Sequence, residues 1–233
     1  MVKRKNDGKM KPKKNMIILG SLYVLISICF YFVFVALPPV QELGEAYRIF
    51  FLHLPFAIVT YIAFTVTLVT SILYLKGRDS TYDSIASSSA KLGLIFCSLT
   101  LIAGAIFSNA AWGAYWNWDP RQTTTLILWF VYASYLSLRS AIDEDETKAM
   151  VSSVLGIFGY ATVPLTYIST KVWSTLHPES GTIGLTGQMW LVILGLIVAM
   201  MVLYTYLLWW DVKFKSLEKK YKKLQDMAKG GEK

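Results

Sequence analysis

Six stretches of this 233-residue chain run apolar for long enough to cross a bilayer: about Met16–Leu37, Leu54–Leu75, Leu92–Ala110, Thr123–Leu138, Ala149–Ser169 and Met189–Trp210. A hydrocarbon core about 30 Å thick needs roughly 20 apolar residues in a helix. Away from their boundaries these stretches contain no Asp, Glu, Lys, Arg or His, and the charges collect in the gaps between them. The pattern predicts an all-α integral membrane protein, a bundle of six transmembrane helices in one domain at 16–210. A basic segment precedes it at 1–15 and a basic tail follows at 211–233. Proton relays and ion-coupled transport need ionisable groups at membrane depth. The uncharged spans therefore read as scaffold, and the chemistry belongs in the connections.

Composition agrees. Hydrophobic residues make up 55% of the chain and charged residues 16%, against about a quarter charged in an ordinary soluble domain; mean hydropathy is +0.45. Six spans put both termini on one side, and the cations say which. Of the 23 Lys and Arg, 20 lie in the N-terminal segment, the C-terminal tail and the connections Lys76–Lys91 and Arg139–Lys148, leaving Arg48, Arg121 and Lys171 for the other face. The positive-inside rule makes both termini cytoplasmic and sets those three residues outside. The net charge of +8 then reflects topology and anionic lipid, not nucleic acid.

The first apolar stretch is longer than a signal h-region of about 7–15 residues, and Ala36-Leu37-Pro38-Pro39 is a poor cleavage site, so it reads as an uncleaved helix. The Lys-rich start points to a prokaryotic inner membrane. Cys29 and Cys97 both fall inside spans and form neither a CxxC pair nor a CxxCH haem-attachment site. They read as small apolar residues, which excludes a c-type cytochrome and a thiol–disulfide carrier.

Candidate chemistry gathers in the outer segments. The only two histidines, His53 and His177, both fall there, His53 two residues before Pro55 and His177 immediately before Pro178. Neither is expected on an apolar helix face, and Pro55 is expected in the first turn of its helix, where a missing N–H costs nothing. Imidazole ligates haem iron, and two from opposite ends of the chain would grip an iron from its two sides. Between them lies Trp112–Thr123, WGAYWNWDPRQT. Trp112, Tyr115 and Trp116 have the spacing of one helical face, and with Trp118 they offer flat aromatic surface to a flat apolar ligand. Interfacial belts also collect Trp and Tyr, but at lower density. Asp119 is placed to N-cap the next helix, with Pro120 at the first position and Gln122 completing a capping box. Arg48, Arg121 and Lys171 are the outer cations that would meet carboxylates of such a ligand.

WGAYWNWDPRQT resembles the tryptophan-rich WWD motif of the haem-handling proteins CcmC, CcmF and CcsA. Two further stretches, YRIFFLHLP at 47–55 and WSTLH at 173–177, resemble the first and third outer loops of the CcmC family, with Val172 standing where that family pattern has the first of two tryptophans. The resemblance covers the whole membrane domain. It implies a role in system I cytochrome c maturation: haem b held as transient cargo at the outer face, with His53 and His177 as axial ligands. Trp112, Trp116, Trp118 and Asp119 would belong to the haem platform. It also implies presentation to the haem chaperone CcmE, release driven by CcmA and CcmB, and association with the small subunit CcmD. Alternatives left open by the residues are a haem lyase acting on apocytochrome, a haem-translocating permease subunit and an assembly subunit.

Overall fold

The computed structural model describes residues 12–39, 44–177 and 184–230, and all its regular elements are helical. In order they are α1 (Pro12–Tyr31), α2 (Tyr47–Gly77), α3 (Ser80–Trp112), α4 (Pro120–Ala141), α5 (Asp145–Gly159), α6 (Thr162–Val172) and α7 (Gly187–Gly230). Most of the N-terminal basic segment, 1–11, lies outside the described residues. Among the described residues, five helical stretches are long and apolar enough to cross a membrane, α5 and α6 together making one. The helix expected as the fourth span, α4, is not among them; it opens on the polar run PRQTTT.

Local chemistry explains the breaks. Asp79 caps α3, its carboxylate accepting the Thr81 N–H at 2.8 Å, and Arg78 closes α2 in the left-handed conformation, so α2 and α3 join in a tight hairpin. Pro164 lacks the N–H that would bond the Tyr160 carbonyl; the chain bends there and splits one span into α5 and α6. Residues Phe32–Ala36 at the end of α1 wind as a π-helix, the Leu37 N–H reaching the Phe32 carbonyl at 2.9 Å.

Three apolar clusters hold the bundle. One joins α1, α2 and α7 through Cys29, Val33, Phe51, Met189 and Leu196. A second, with Phe64, Cys97, Leu128 and Tyr132, joins α2, α3, α4 and α6, and a third, with Val59, Phe96 and Tyr204, joins α2, α3 and α7. Both cysteines are free and buried, as expected. Gly93 lets α3 approach α2 closely: a Cβ there would sit 2.6 Å from the Phe64 ring. Such small residues drive helix association in lipid.

Two expectations about local structure fail. Helix α2 begins at Tyr47, not near Leu54, so Pro55 lies inside it and His53 is a helical residue rather than a loop residue. Apolar Phe50, Phe51, Leu52 and Leu54 continue the helix across the proline, forgoing only the bond to the Phe51 carbonyl. The tail extends α7, which runs 44 residues to Gly230.

Candidate functional site

The start of α2, the end of α3, the loop 113–119 and the start of α4 enclose a cleft lined by Phe50, His53, Gly104, Phe107, Trp112, Trp116, Asn117, Asp119, Arg121 and His177, among others. Its empty space, open mouth included, is about 890 Å³.

Helix α2 presents His53 to α3. Its Nδ1 lies 3.1 Å from the Thr100 carbonyl, and because a carbonyl only accepts, Nδ1 carries the proton. The Nε2 lone pair is left for a metal, which is the arrangement metal-binding imidazoles adopt. The ring rests on Gly104, where a Cβ would stand 3.0 Å from Cε1 and 3.2 Å from Nδ1. A glycine is what admits the imidazole.

His177 comes from the loop after α6. Burial first, then the Arg121 charge and the neighbouring His53, push its pKa down to about 3, against a smaller upward pull from Asp119. Its imidazole is therefore neutral at physiological pH, which is the form that ligates iron.

Asp119 joins the two parts of the site. Its Oδ1 accepts the Arg121 N–H at 2.9 Å and so caps α4 as expected. Its Oδ2 accepts the Thr175 hydroxyl at 2.6 Å and the Leu176 N–H at 2.7 Å. The Thr175 hydroxyl oxygen in turn accepts the His177 N–H at 3.0 Å. One buried carboxylate thus fixes both the aromatic loop and the histidine loop. Gln122 does not complete a capping box; its side-chain oxygen accepts the Asn117 N–H at 3.1 Å and braces the loop from inside. Asn117 also donates to Ser108 Oγ at 2.8 Å.

The expected helical face of Trp112, Tyr115 and Trp116 is not formed. Helix α3 stops at Trp112 because Gly113, at φ +76°, turns the chain left-handed. Trp112 and Trp116 still reach the cleft, and Trp112 meets Phe107 edge to face at 5.6 Å. Tyr115 and Trp118 do not line it; they are 61% and 74% exposed. Trp118 also adopts φ +54°, unusual for a bulky residue, and packs edge to face on Trp116 at 5.9 Å.

Of the three cations expected on the outer face, Arg121 lines the cleft and Arg48 and Lys171 do not. Arg48 is turned to the end of α1, donating to the Val33 carbonyl and to the Glu45 carboxylate, with Leu37 O at 3.4 Å. The π-turn leaves those carbonyls available. Lys171 sits in the last turn of α6. Sequence reasoning missed Thr100, Gly104 and Thr175. Only Thr175 leaves a signal, a hydroxyl two residues before the histidine, the spacing of a local side-chain turn.

The family described as Heme exporter protein C, CcmC, matches residues 8–227, a range that takes in every cleft residue. This chain belongs to the CcmC family. Proteins named Heme exporter protein C are 30% identical in Bradyrhizobium diazoefficiens over 151 residues, 65% of this chain and 57% of that one, and 31% identical in Paracoccus denitrificans over 137 residues, 59% and 57%. The Escherichia coli K12 protein of the same name is 28% identical over 143 residues, 61% of this chain and 58% of its own. The chain thus spans under three fifths of the length of these CcmC-family relatives.

Proposed function

We propose that this chain is a six-span protein of a prokaryotic inner membrane that binds haem b as cargo at its outer face and presents it to the chaperone CcmE during c-type cytochrome maturation. The observation that carries the reading is that His53 and His177, from opposite ends of the sequence, line one cleft, His53 with its Nδ1 committed to Thr100. Membership of the CcmC family supports it. For the span count, α4 adds 22 residues to the five apolar stretches, or about 33 Å of helix, enough for a hydrocarbon core. Both termini are then cytoplasmic by the distribution of Lys and Arg.

In this reading Phe107, Trp112 and Trp116 wall the porphyrin and Arg121 faces a propionate. Trp118 and Tyr115, on the rim, meet the approaching chaperone. The two histidines differ in their anchorage. His53 is built into α2 and backed by Gly104, whereas His177 hangs on a loop through Thr175 and Asp119. His177 is therefore the ligand that yields to the chaperone's histidine. CcmA and CcmB would drive release of the loaded chaperone, with CcmD as a small membrane partner. A chaperone variant lacking its haem-linking histidine tests the order: haem should still accumulate on this chain, and failure to load would contradict it.

A further inference from the structure

Helices α1 and α7 pack closely along only part of their length. Where α1 ends and α7 begins they are pressed together: a Cβ on Gly195 would stand 3.1 Å from Cys29 Sγ, and Cys29 and Val33 of α1 share a core with Met189, Ile193 and Leu196 of α7. Toward the end of the bundle that carries both termini the contact loosens. Leu22 is still buried, but Met16, Ile17 and Leu19 are exposed. A groove opens there, lined by Ile18 on α1 and by Val198, Val202, Thr205, Tyr206 and Trp209, among others, on α7. Its empty space, open mouth included, is about 1130 Å³.

The groove is half a membrane deep. From Ile197 to Trp209, its limits on α7, the helix rises about 18 Å, against about 15 Å for one leaflet's share of a hydrocarbon core. A partner helix crossing the whole membrane would meet closed ground at Gly195, whereas the acyl chain of one leaflet ends there. The other end is built for a headgroup. Trp209 and Trp210 meet edge to face at 5.0 Å, with Tyr206 on Trp210 at 6.3 Å, aromatic surface of the kind that settles at the membrane interface. One turn beyond, Lys213 Nζ stands 4.6 Å from the Trp209 ring centre and 5.3 Å from that of Trp210. Lys13 and Lys14 open α1 within about a turn of Ile18. Asp211, the acid in this stretch of α7, is engaged by Lys91 of α3 and by Lys215. The mouth is therefore cationic, and its complement is an anionic headgroup.

We propose that the groove between α1 and α7 binds an anionic phospholipid, one acyl chain lying along Val198, Val202 and Thr205 and the phosphate beside Lys213 and the start of α1. On the orientation proposed above, the lipid comes from the cytoplasmic leaflet; the site is remote from the outer cleft and independent of the haem reading. Its acyl chain fills the gap that keeps α1 from packing on α7 along its whole length.

Native mass spectrometry tests it, on the full chain in detergent incubated with equal amounts of palmitoyl-oleoyl phosphatidylglycerol and phosphatidylcholine. Retention in detergent does not depend on orientation in the membrane, so a failure counts against the groove alone. The wild type should keep phosphatidylglycerol several-fold more than phosphatidylcholine. Val202→Trp, which fills the groove from an exposed position, should lose most of that retention. Leu191→Trp, at an exposed position of α7 outside the groove, should keep it. Lys213→Gln should narrow the preference between the two lipids. Equal retention of both lipids by the wild type would overturn the site, as would equal losses in the two Trp variants or an unchanged preference in Lys213→Gln. A dimer that Val202→Trp dissolves would overturn it too, by giving the groove to a second copy of the chain.

Discussion

Asp119 and His177 are joined through one threonine hydroxyl: Thr175 donates to Asp119 Oδ2 at 2.6 Å and accepts the His177 N–H at 3.0 Å. The carboxylate that starts α4 thereby sets where a histidine 58 positions later stands. Replacing Asp119 with Asn keeps the helix cap, since asparagine caps as well as aspartate. A side-chain amide cannot accept from both Thr175 and Leu176 with its nitrogen end. Asp119→Asn should therefore weaken haem binding about tenfold, the lower range for losing a partner that orients a ligand, with little loss of stability. Thr175→Val should do the same. Haem titration beside thermal unfolding separates the two effects.

Gly104 is the floor beneath His53. Gly104→Ala sets a methyl within 3.0 Å of the imidazole and must displace it from the Thr100 carbonyl. Overpacking of this kind typically costs about 1–3 kcal/mol. The expected result is a shifted Soret band and lower haem content in a protein that still folds. An unaltered spectrum would mean that His53 is free to move.

The depressed pKa of His177, about 3, makes a pH prediction. Unfolding raises the group toward its ordinary value near 6.5, so between about 6.5 and 3 the unfolded chain binds the extra proton and stability falls as pH falls. Above 6.5 the group is neutral in both states and contributes no slope. His177→Gln should lose this component: its melting temperature, measured in detergent from pH 7.5 to 4.5, should fall less steeply than that of wild type. Parallel curves would contradict the burial.

At the other end of the bundle, Asp83→Asn leaves the part-buried Arg139 charge without its partner. Removing one member of such a pair costs about 3–5 kcal/mol, whereas replacing both with apolar residues is often neutral. Asp83→Asn should thus lower the melting temperature sharply, and Asp83→Leu combined with Arg139→Met should recover most of it.

Much of this molecule is legible in the sequence, for reasons that are local. The cap at Asp119 and Pro120 is readable because both groups act within a few residues of themselves, and the uncharged spans are readable because lipid demands length and apolarity together. The start of α2 is not: Pro55 is a stronger local signal than the helix-forming residues before it, and only packing against α3 and α7 carries the helix through. Gly113 decides against the helical face of Trp112, Tyr115 and Trp116, since a glycine in the left-handed conformation ends a helix regardless of the aromatic spacing beyond it. Arg48 reads as an outer cation until the π-turn of α1 supplies it with carbonyls. Gly104 and Thr100 are silent in the sequence, because their roles consist entirely of what stands opposite them.

The central claim is that His53 and His177 hold one haem iron. The visible absorption spectrum of the detergent-purified full chain tests it directly, beside His53→Ala and His177→Ala variants prepared with equal haem supply. The account predicts a Soret band in the wild type that weakens or shifts in both variants. A band unchanged in either variant, or a wild type without haem under conditions that load a control haem protein, would contradict it.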